Sequence, residues 1–236
     1  MKIFILGVGN AFSTDHYSTC FVVQSKDGFN LAVECPHPYL KMLKETPKAP
    51  KIEDIDNFII THLHSDHCNG LETIGFYKKF VENKVLKVRM GFNESENHKD
   101  MVSPSMCKML VGDAIVKASV EDYFDYYPTN GKIGPFTIHS YCTTHHIPSK
   151  ALLINEGDKM IGFSGDTKFD PKLIEWLSKA DFILHEVGEG YGHTSIKKLV
   201  ELPDNIKRKI RLIHYPDNTI TDEFRLAKQG EIIHVE

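Results

Sequence analysis

An apolar run, Phe58-Ile59-Ile60, leads directly into Thr61-His62-Leu63-His64-Ser65-Asp66-His67-Cys68-Asn69-Gly70, which in turn leads into an apolar-periodic stretch at 71–82. The run predicts a strand and the periodic stretch a helix. The segment between them is then a loop at the carboxyl end of a strand, where α/β folds hold their ligands. Four potential metal ligands, His62, His64, Asp66 and His67, fall within six residues. His62 and His64 are two apart, a spacing that points both the same way in extended backbone. Asp66 and His67 lie where the chain turns, and Gly70 lets the loop close onto the helix. One such histidine alone is usually structural. Three imidazoles and a carboxylate crowded at one strand end need a cation to offset their burial.

Further apolar runs at 3–6, 21–23, 31–33, 85–90, 136–140, 151–154, 160–163, 182–184 and 211–213 read as strands. Helical patterns lie at 39–45, 171–180, 195–202 and 222–229, and the second of these has Asp170 as N-cap and Pro171 at its first position. Early strands follow one another closely and later ones alternate with helices, so the chain is expected to be a layered α/β protein. No repeat, low-complexity tract or linker divides it, and one domain spanning 1–236 is predicted. Gly7-Val8-Gly9 reads as a tight turn after the first strand, since Phe12 breaks the dinucleotide pattern, so no nucleotide cofactor is expected.

Histidine, the commonest metal ligand, contributes 13 of the 236 residues. The net charge of −4 tells against a general basic surface for nucleic acid. No apolar run approaches the roughly 18 residues of a membrane helix, and the apolar start at 3–6 is too short for a secretory signal. Cys20, Cys35, Cys68, Cys107 and Cys142 are odd in number and lack CxxC spacing, which predicts reduced thiols in a cytoplasmic protein.

The 61–70 segment resembles the signature of the metallo-β-lactamase superfamily. The resemblance implies a four-layered αβ/βα fold, with two mixed β-sheets packed face to face and helices outside. Three more stretches match in order: Cys142-Thr143-Thr144-His145-His146-Ile147-Pro148-Ser149, Ile161-Gly162-Phe163-Ser164-Gly165-Asp166-Thr167 and Arg211-Leu212-Ile213-His214-Tyr215-Pro216. By resemblance, His62, His64 and His145 surround one metal, Asp66, His67 and His214 the other, and Asp166 bridges them. Two Zn2+ suit such ligands best, with Mn2+ or Fe as alternatives. In ribonuclease Z-like members the ligand lies three residues before such a proline, which selects His145 and leaves His146 as the alternative. His64 in place of a glutamate tells against the flavodiiron branch, and Asp166 in place of a cysteine against antibiotic hydrolysis.

The stretch Ala180-Asp181-Phe182-Ile183-Leu184-His185-Glu186-Val187 is similar to the A-D-x-x-x-H-E-A-T stretch of ribonuclease Z, and Gly192-His193-Thr194-Ser195 to its H-S-T stretch. The resemblance implies that Glu186 orients His193 to protonate a leaving oxygen, while Asp66 takes a proton from the attacking water. The alternatives are an exposed strand end for His185-Glu186 and a helix-start contact for His193. Val187-Gly188 replaces Ala-Thr, and the distinctive Glu34-Cys35-Pro36-His37-Pro38 has no assigned role. Only 20 residues separate His145 from Asp166, so the arm with which ribonuclease Z clamps transfer RNA is missing.

The expected function is a zinc-dependent phosphodiesterase that attacks a small or cyclic phosphodiester (a cyclic nucleotide or cyclic ribose phosphate) with a metal-activated hydroxide. The first alternative, a ribonuclease Z-like RNA 3′-end endonuclease, would use the basic cluster Lys207-Arg208-Lys209 with Arg211. An acyl (thioester or lactone) hydrolase and a metal-binding regulator without turnover are the others. The resemblance also implies a homodimer. Tyr123-Phe124-Asp125-Tyr126-Tyr127 would pack in a core or at an interface, and residues 10–19 are candidates for the mouth of the site.

Overall fold

In the computed structural model, which describes residues 1–90, 106 and 108–236, the expected strands form, with additions. β1 (Lys2–Gly7), β2 (Cys20–Gln24), β3 (Asn30–Val33), β4 (Asn57–Ile60) and β5 (Leu86–Met90) come first. A separate hairpin of β6 (Lys108–Val111) and β7 (Ala114–Lys117) precedes β8 (Phe124–Pro128). β9 (Gly131–Ile133), β10 (Phe136–Cys142), β11 (Lys150–Glu156) and β12 (Lys159–Phe163) follow. Last come β13 (Phe182–Glu186), β14 (Ile210–Ile213), β15 (Arg225–Leu226) and β16 (Ile232–His234). One seven-stranded sheet has the order β16-β1-β2-β3-β4-β5-β8 and the other β15-β14-β13-β12-β11-β10-β9. Both are mixed: β3, β4, β5 and β8 pair in parallel, as do β12, β13, β14 and β15, and the remaining pairs are antiparallel.

The helices are α1 (Tyr39–Glu45), α2 (Ser65–Cys68), α3 (Leu71–Phe76), α4 (Pro171–Leu177), α5 (Ile196–Val200) and α6 (Asp204–Lys207). Strand periodicity explains the layering. Ile3, Ile5, Phe21, Val23, Leu31, Val33 and Ile59 share a cluster with Ile154, Ile161 and Phe163 of the second sheet, while Phe4, Leu6, Val22, Ala32, Phe58 and Ile60 join Tyr39 and Met42 of α1 and Ile74 of α3. Each strand thus sends alternate side chains to the other sheet and to the helices, which is why these strands read as continuous apolar runs. Phe21 and Phe163 meet edge-on across the two sheets, with ring centroids 5.1 Å apart. Burying such a side chain contributes about 1.5–3 kcal/mol. The four-layered metallo-β-lactamase arrangement expected from the resemblance is the one the chain adopts.

α4 begins as expected: Asp170 accepts a hydrogen bond from the backbone N–H of Lys172 at 2.9 Å, and Pro171 takes the first helical position. The helix expected at 222–229 does not form. Phe224 and Ala227 are both buried, and their spacing imitates a helical stripe. The segment instead extends along the open edge of β14, where Arg225 and Leu226 pair with Arg211 and Leu212 and the Ala227 N–H donates to Leu212 O at 2.8 Å. Satisfying that edge outweighs the local helical preference. Tyr123 and Phe124 are buried on the helix side of the first sheet, the core alternative, while Tyr127 is exposed. Cys20, Cys35, Cys68 and Cys142 are free thiols, and Cys107 lies outside the described residues. Among the described residues no helix is long and apolar enough to cross a membrane.

Candidate metal centre

β4, β10, β12 and β14 deliver His62, His145, Asp166 and His214 from their carboxyl ends, each within three residues of the strand. The turns are shaped for close approach. A Cβ on Gly70 would lie 2.4 Å from Pro36 O, and Gly165 takes a left-handed φ of +54° where a Cβ would lie 2.5 Å from Lys150 O. Gly70 therefore serves by closeness to the chain after β3, not by an unusual φ. His214 and Glu34, neither of them glycine, are also left-handed, with φ of 55° and 63°. Such strain costs roughly 1–3 kcal/mol per residue and concentrates at functional sites.

Local hydrogen bonds set the imidazole tautomers. Thr61 spends its one hydroxyl proton on Glu34 Oε1 and gives its backbone N–H to Glu34 Oε2 at 3.1 Å. His62 Nδ1, 3.0 Å from that same hydroxyl oxygen, must then donate, which leaves the Nε2 lone pair facing inward. α2 is one helical turn, opened by the extended backbone of His64, and it swings Asp66 and His67 beneath the first two histidines. Glu34 Oε1 also lies 3.3 Å from His67 Nδ1, so Nε2 of that ring turns inward as well.

The inward atoms form two groups. In one, His64 Nδ1 lies 3.0 Å from His62 Nε2 and 3.1 Å from His145 Nε2. In the other, His67 Nε2 and His214 Nε2 are 3.3 Å apart and each is 3.3 Å from Asp66 Oδ2. Asp166 touches both: Oδ2 is 3.7 Å from His62 Nε2, 3.7 Å from His145 Nε2 and 3.5 Å from His214 Nε2, and Oδ1 is 3.4 Å from His67 Nε2. Lone pairs facing one another at these distances repel unless a cation stands between them. Bonds of 2.0–2.1 Å to a tetrahedral zinc put neighbouring ligand atoms about 3.3 Å apart, so the spacing suits one. Asp166 Oδ1 and His214 Nδ1 are buried without a hydrogen-bond partner among the described residues. The seven residues expected from sequence are thus brought together, and the donor set fits metal. His146 is not among them: its ring is tilted against that of His145, centroids 4.9 Å apart, and lines the cavity above.

Charge follows the same pattern. Burial, then the neighbouring imidazoles, pushes His62 down to about 2, and burial also lowers His64 and His145, so these rings are neutral donors at neutral pH. Burial opposes charge on His67 too, but Asp166 and Glu34 outweigh it and raise this imidazole. Burial likewise works against the Asp166 carboxylate, yet His214, His67 and His62 hold it well below the usual carboxylate range. Positive charge is in demand where the carboxylates converge.

Glu34, left unassigned from sequence, now has a place: it accepts two hydrogen bonds from Thr61 and sets its carboxylate 3.3 Å from the outer nitrogen of His67. Its position just after a strand, on the same sheet edge as the histidines, was the available signal. Glu34→Gln is expected to weaken metal affinity about 10- to 100-fold with the fold intact, as measured by chelator competition. Unchanged affinity would assign Glu34 to packing alone.

Glu186 ends β13 and is fully buried, contrary to the exposed-strand-end alternative. It accepts from the Thr167 N–H at 2.6 Å, and its Oε2 lies 3.0 Å from His193 Nδ1. Burial and then Asp166 push its carboxyl up, while His214 and the backbone N–H groups of Thr167 and Thr194 work the other way. The same Nδ1 of His193 lies 4.0 Å from Asp166 Oδ2, which puts the ring beside the ligand groups. Its ring stacks on that of His214 at 5.5 Å.

His185 is buried as well, its Nδ1–H donating to Glu186 O at 2.7 Å, and burial lowers it to about 4. An unfolded histidine titrates near 6.5, so the unfolded chain takes the proton first. The stability this gives is complete above that value and is lost as pH falls toward 4. Between pH 7 and pH 5 the wild type is expected to lose about 2 kcal/mol more than His185→Gln in urea denaturation. Equal losses would mean that His185 accepts a proton in the folded chain.

Over the centre lies a cavity of about 360 Å³ lined by Asn10, Phe12, His64, Asp66, His146 and His193 among others. Residues 10–12 therefore border the mouth. The stretch between His145 and Asp166 is filled by the β11–β12 hairpin. In the basic cluster, Lys207 pairs with Asp204 at 3.1 Å, Lys209 donates to Ser178 O and Ala180 O, Arg208 donates to Asp204 O, and Arg211 pairs with Glu231.

A family model described as anti-Pycsar protein Apyc1 matches residues 1–236. The chain belongs to the Apyc1 family. An anti-Pycsar protein Apyc1 of Bacillus phage vB_BsuM-Goe3 is 29% identical over 260 residues, covering 98% of this chain and 97% of the phage protein. Among solved structures, this Apyc1-family chain is similar to the metallo-β-lactamase fold protein YhfI from Bacillus subtilis (TM-score 0.78, 18% identity, 98% of each chain covered). It is also similar to the short form of human tRNase Z (TM-score 0.72, 16% identity, 100% of each chain covered). The fold is the metallo-β-lactamase fold, and the His/Asp cluster of this Apyc1-family member can hold metal.

Proposed function

We propose that this chain is a dinuclear zinc phosphodiesterase that opens a small cyclic phosphodiester, a cyclic nucleotide above all. The observation that carries the reading is the pair of buried Glu186 and half-buried His193 set against two ligand groups that share Asp166. His62, His64 and His145 would hold one ion and Asp66, His67 and His214 the other, with Asp166 between them. When bound, such ions supply charge neutralisation at a phosphoryl group and acidify water.

The chain's own groups do the remaining work. Asp66, kept ionised by His214 and His67 against the cost of burial, accepts a proton from the attacking water. Nε2 of His193 gives a proton to the departing ribose oxygen while Glu186 fixes the ring through Nδ1. The small cavity, the short hairpin in place of an RNA-clamping arm and the internally paired basic cluster favour a small substrate over RNA. The anti-Pycsar name of the family is in keeping with a cyclic nucleotide.

The test is a zinc-loaded preparation offered cyclic nucleotides, linear dinucleotides, precursor transfer RNA and thioesters. Ring opening of cyclic nucleotides, with kcat/KM at least about tenfold above the other classes, is the expected result. Turnover of thioesters alone would replace the reading with acyl hydrolysis, and turnover of transfer RNA alone with RNA processing.

A further inference from the structure

Phe12 is 89% exposed. One exposed aromatic is ordinary; this one lines the same cavity as His64, Asp66, His193 and His214. Its loop is also fastened with unusual care. The Phe12 N–H donates to Asn10 Oδ1 at 3.0 Å, and Ser13 N–H to Asn10 O at 3.2 Å. Asp217 then gathers the rest: its carboxylate accepts from the Ser13 hydroxyl, from the Thr14 N–H at 2.8 Å and hydroxyl at 3.0 Å, and from the Asp15 N–H at 3.3 Å.

Asp217 stands three residues beyond His214. The intervening Tyr215 donates its N–H to Val8 O at 3.1 Å and accepts from the Asn10 N–H at 3.3 Å. The loop that presents Phe12 is therefore bolted to the loop that presents His214. The backbone that carries this ring is fixed beside a cluster of imidazoles and carboxylates, and among the described residues the ring itself is left to water. It is preorganised for a ligand with a polar end and a flat apolar end, and preorganisation spares the ordering cost of binding.

We infer that Phe12 is the stacking platform for the base of a cyclic mononucleotide whose phosphate sits at the His/Asp cluster, and that Asp217 is the positioning residue for it. The inference rests on the phosphodiesterase reading above. A phenyl ring has no hydrogen-bonding group, so it cannot read the edge of a base. Every base has a π-face, so purine and pyrimidine rings are both accepted.

Steady-state kinetics on 3′,5′-cyclic purine and pyrimidine nucleotides, and on the base-free methyl riboside 3′,5′-cyclic phosphate, test this. Phe12→Ala should raise KM for both nucleotide classes about 10- to 100-fold while kcat moves by less than about threefold. Phe12→Trp should restore the low KM. Asp217→Ala should raise KM in the same direction, because the loop is unfastened. The wild-type preference for nucleotides over the base-free compound should shrink in Phe12→Ala by the same factor as KM rises. Unchanged KM in Phe12→Ala would overturn the inference, as would a rise confined to purines or to pyrimidines. Wild-type enzyme that hydrolyses other esters but no cyclic nucleotide would remove the phosphodiesterase reading, and this inference with it.

Discussion

Asp166→Ala is expected to bind neither metal stoichiometrically and to lose more than about 10³-fold in hydrolysis of an aryl phosphodiester. Among the described residues Asp166 is the one side chain whose oxygens approach ring nitrogens of both groups, between 3.4 and 3.7 Å away. Without it five imidazoles converge with Asp66 alone among the ligand carboxylates and Glu34 behind His67, and each proposed site loses a ligand. The same variant separates chemistry from folding. Metal bound only to the folded chain stabilises it by about 4 kcal/mol at a thousandfold excess over Kd. Chelator should therefore lower the thermal midpoint of the wild type and leave that of Asp166→Ala where it was. Metal content by elemental analysis is the direct measurement, and a fully loaded variant with a tenth or so of wild-type activity would end the bridging assignment.

His193→Ala should retain metal yet lose about 10²- to 10⁴-fold in kcat on a cyclic nucleotide, the usual range for removing a general acid. On bis(p-nitrophenyl) phosphate the loss should be far smaller, because nitrophenolate departs without a proton and a ribose alkoxide does not. Glu186→Gln should show the same contrast in weaker form, since an amide oxygen can still accept from Nδ1 of His193 but lacks the second oxygen that lies within 3.2 Å of it. Equal losses on both substrates would assign the pair to substrate binding and not to proton delivery.

His62, His64, Asp66 and His67 stand out in the sequence because they occupy one short loop after an apolar run, whereas His145, Asp166 and His214 are reached only through the resemblance to the superfamily signature; the structure gathers all seven at one place. In the sequence only the resemblance, through Pro148 three residues on, selects His145 over His146. The ring–ring distances to His64 make the same choice, because they depend on how β10 meets the other sheet. The burial of His185 and Glu186 was hidden for a similar reason: β13 is central in its sheet, flanked in parallel by β12 and β14, which no window on 180–187 reveals. The β6–β7 hairpin, β8, β9 and β16 escaped notice because short strands take their stability from partners distant in sequence. The false helix at 222–229 is the same failure in reverse, since Phe224 and Ala227 carry a helical spacing that the free edge of β14 overrides.

The ends of the strands carry a last consequence. His62, His64, Asp66 and His67 hang from one sheet, and His145, Asp166 and His214 from the other, so every proposed ion would be shared across the seam between the two halves of the chain. The metals would then act as rivets as well as reagents. A slip of one sheet over the other by a fraction of an ångström, of the kind a core substitution such as one at Phe21 or Phe163 would cause, would be felt first as a change in coordination. Selection on turnover thus reaches into the apolar layer, and catalysis in this chain is hostage to the packing of residues that never meet a substrate.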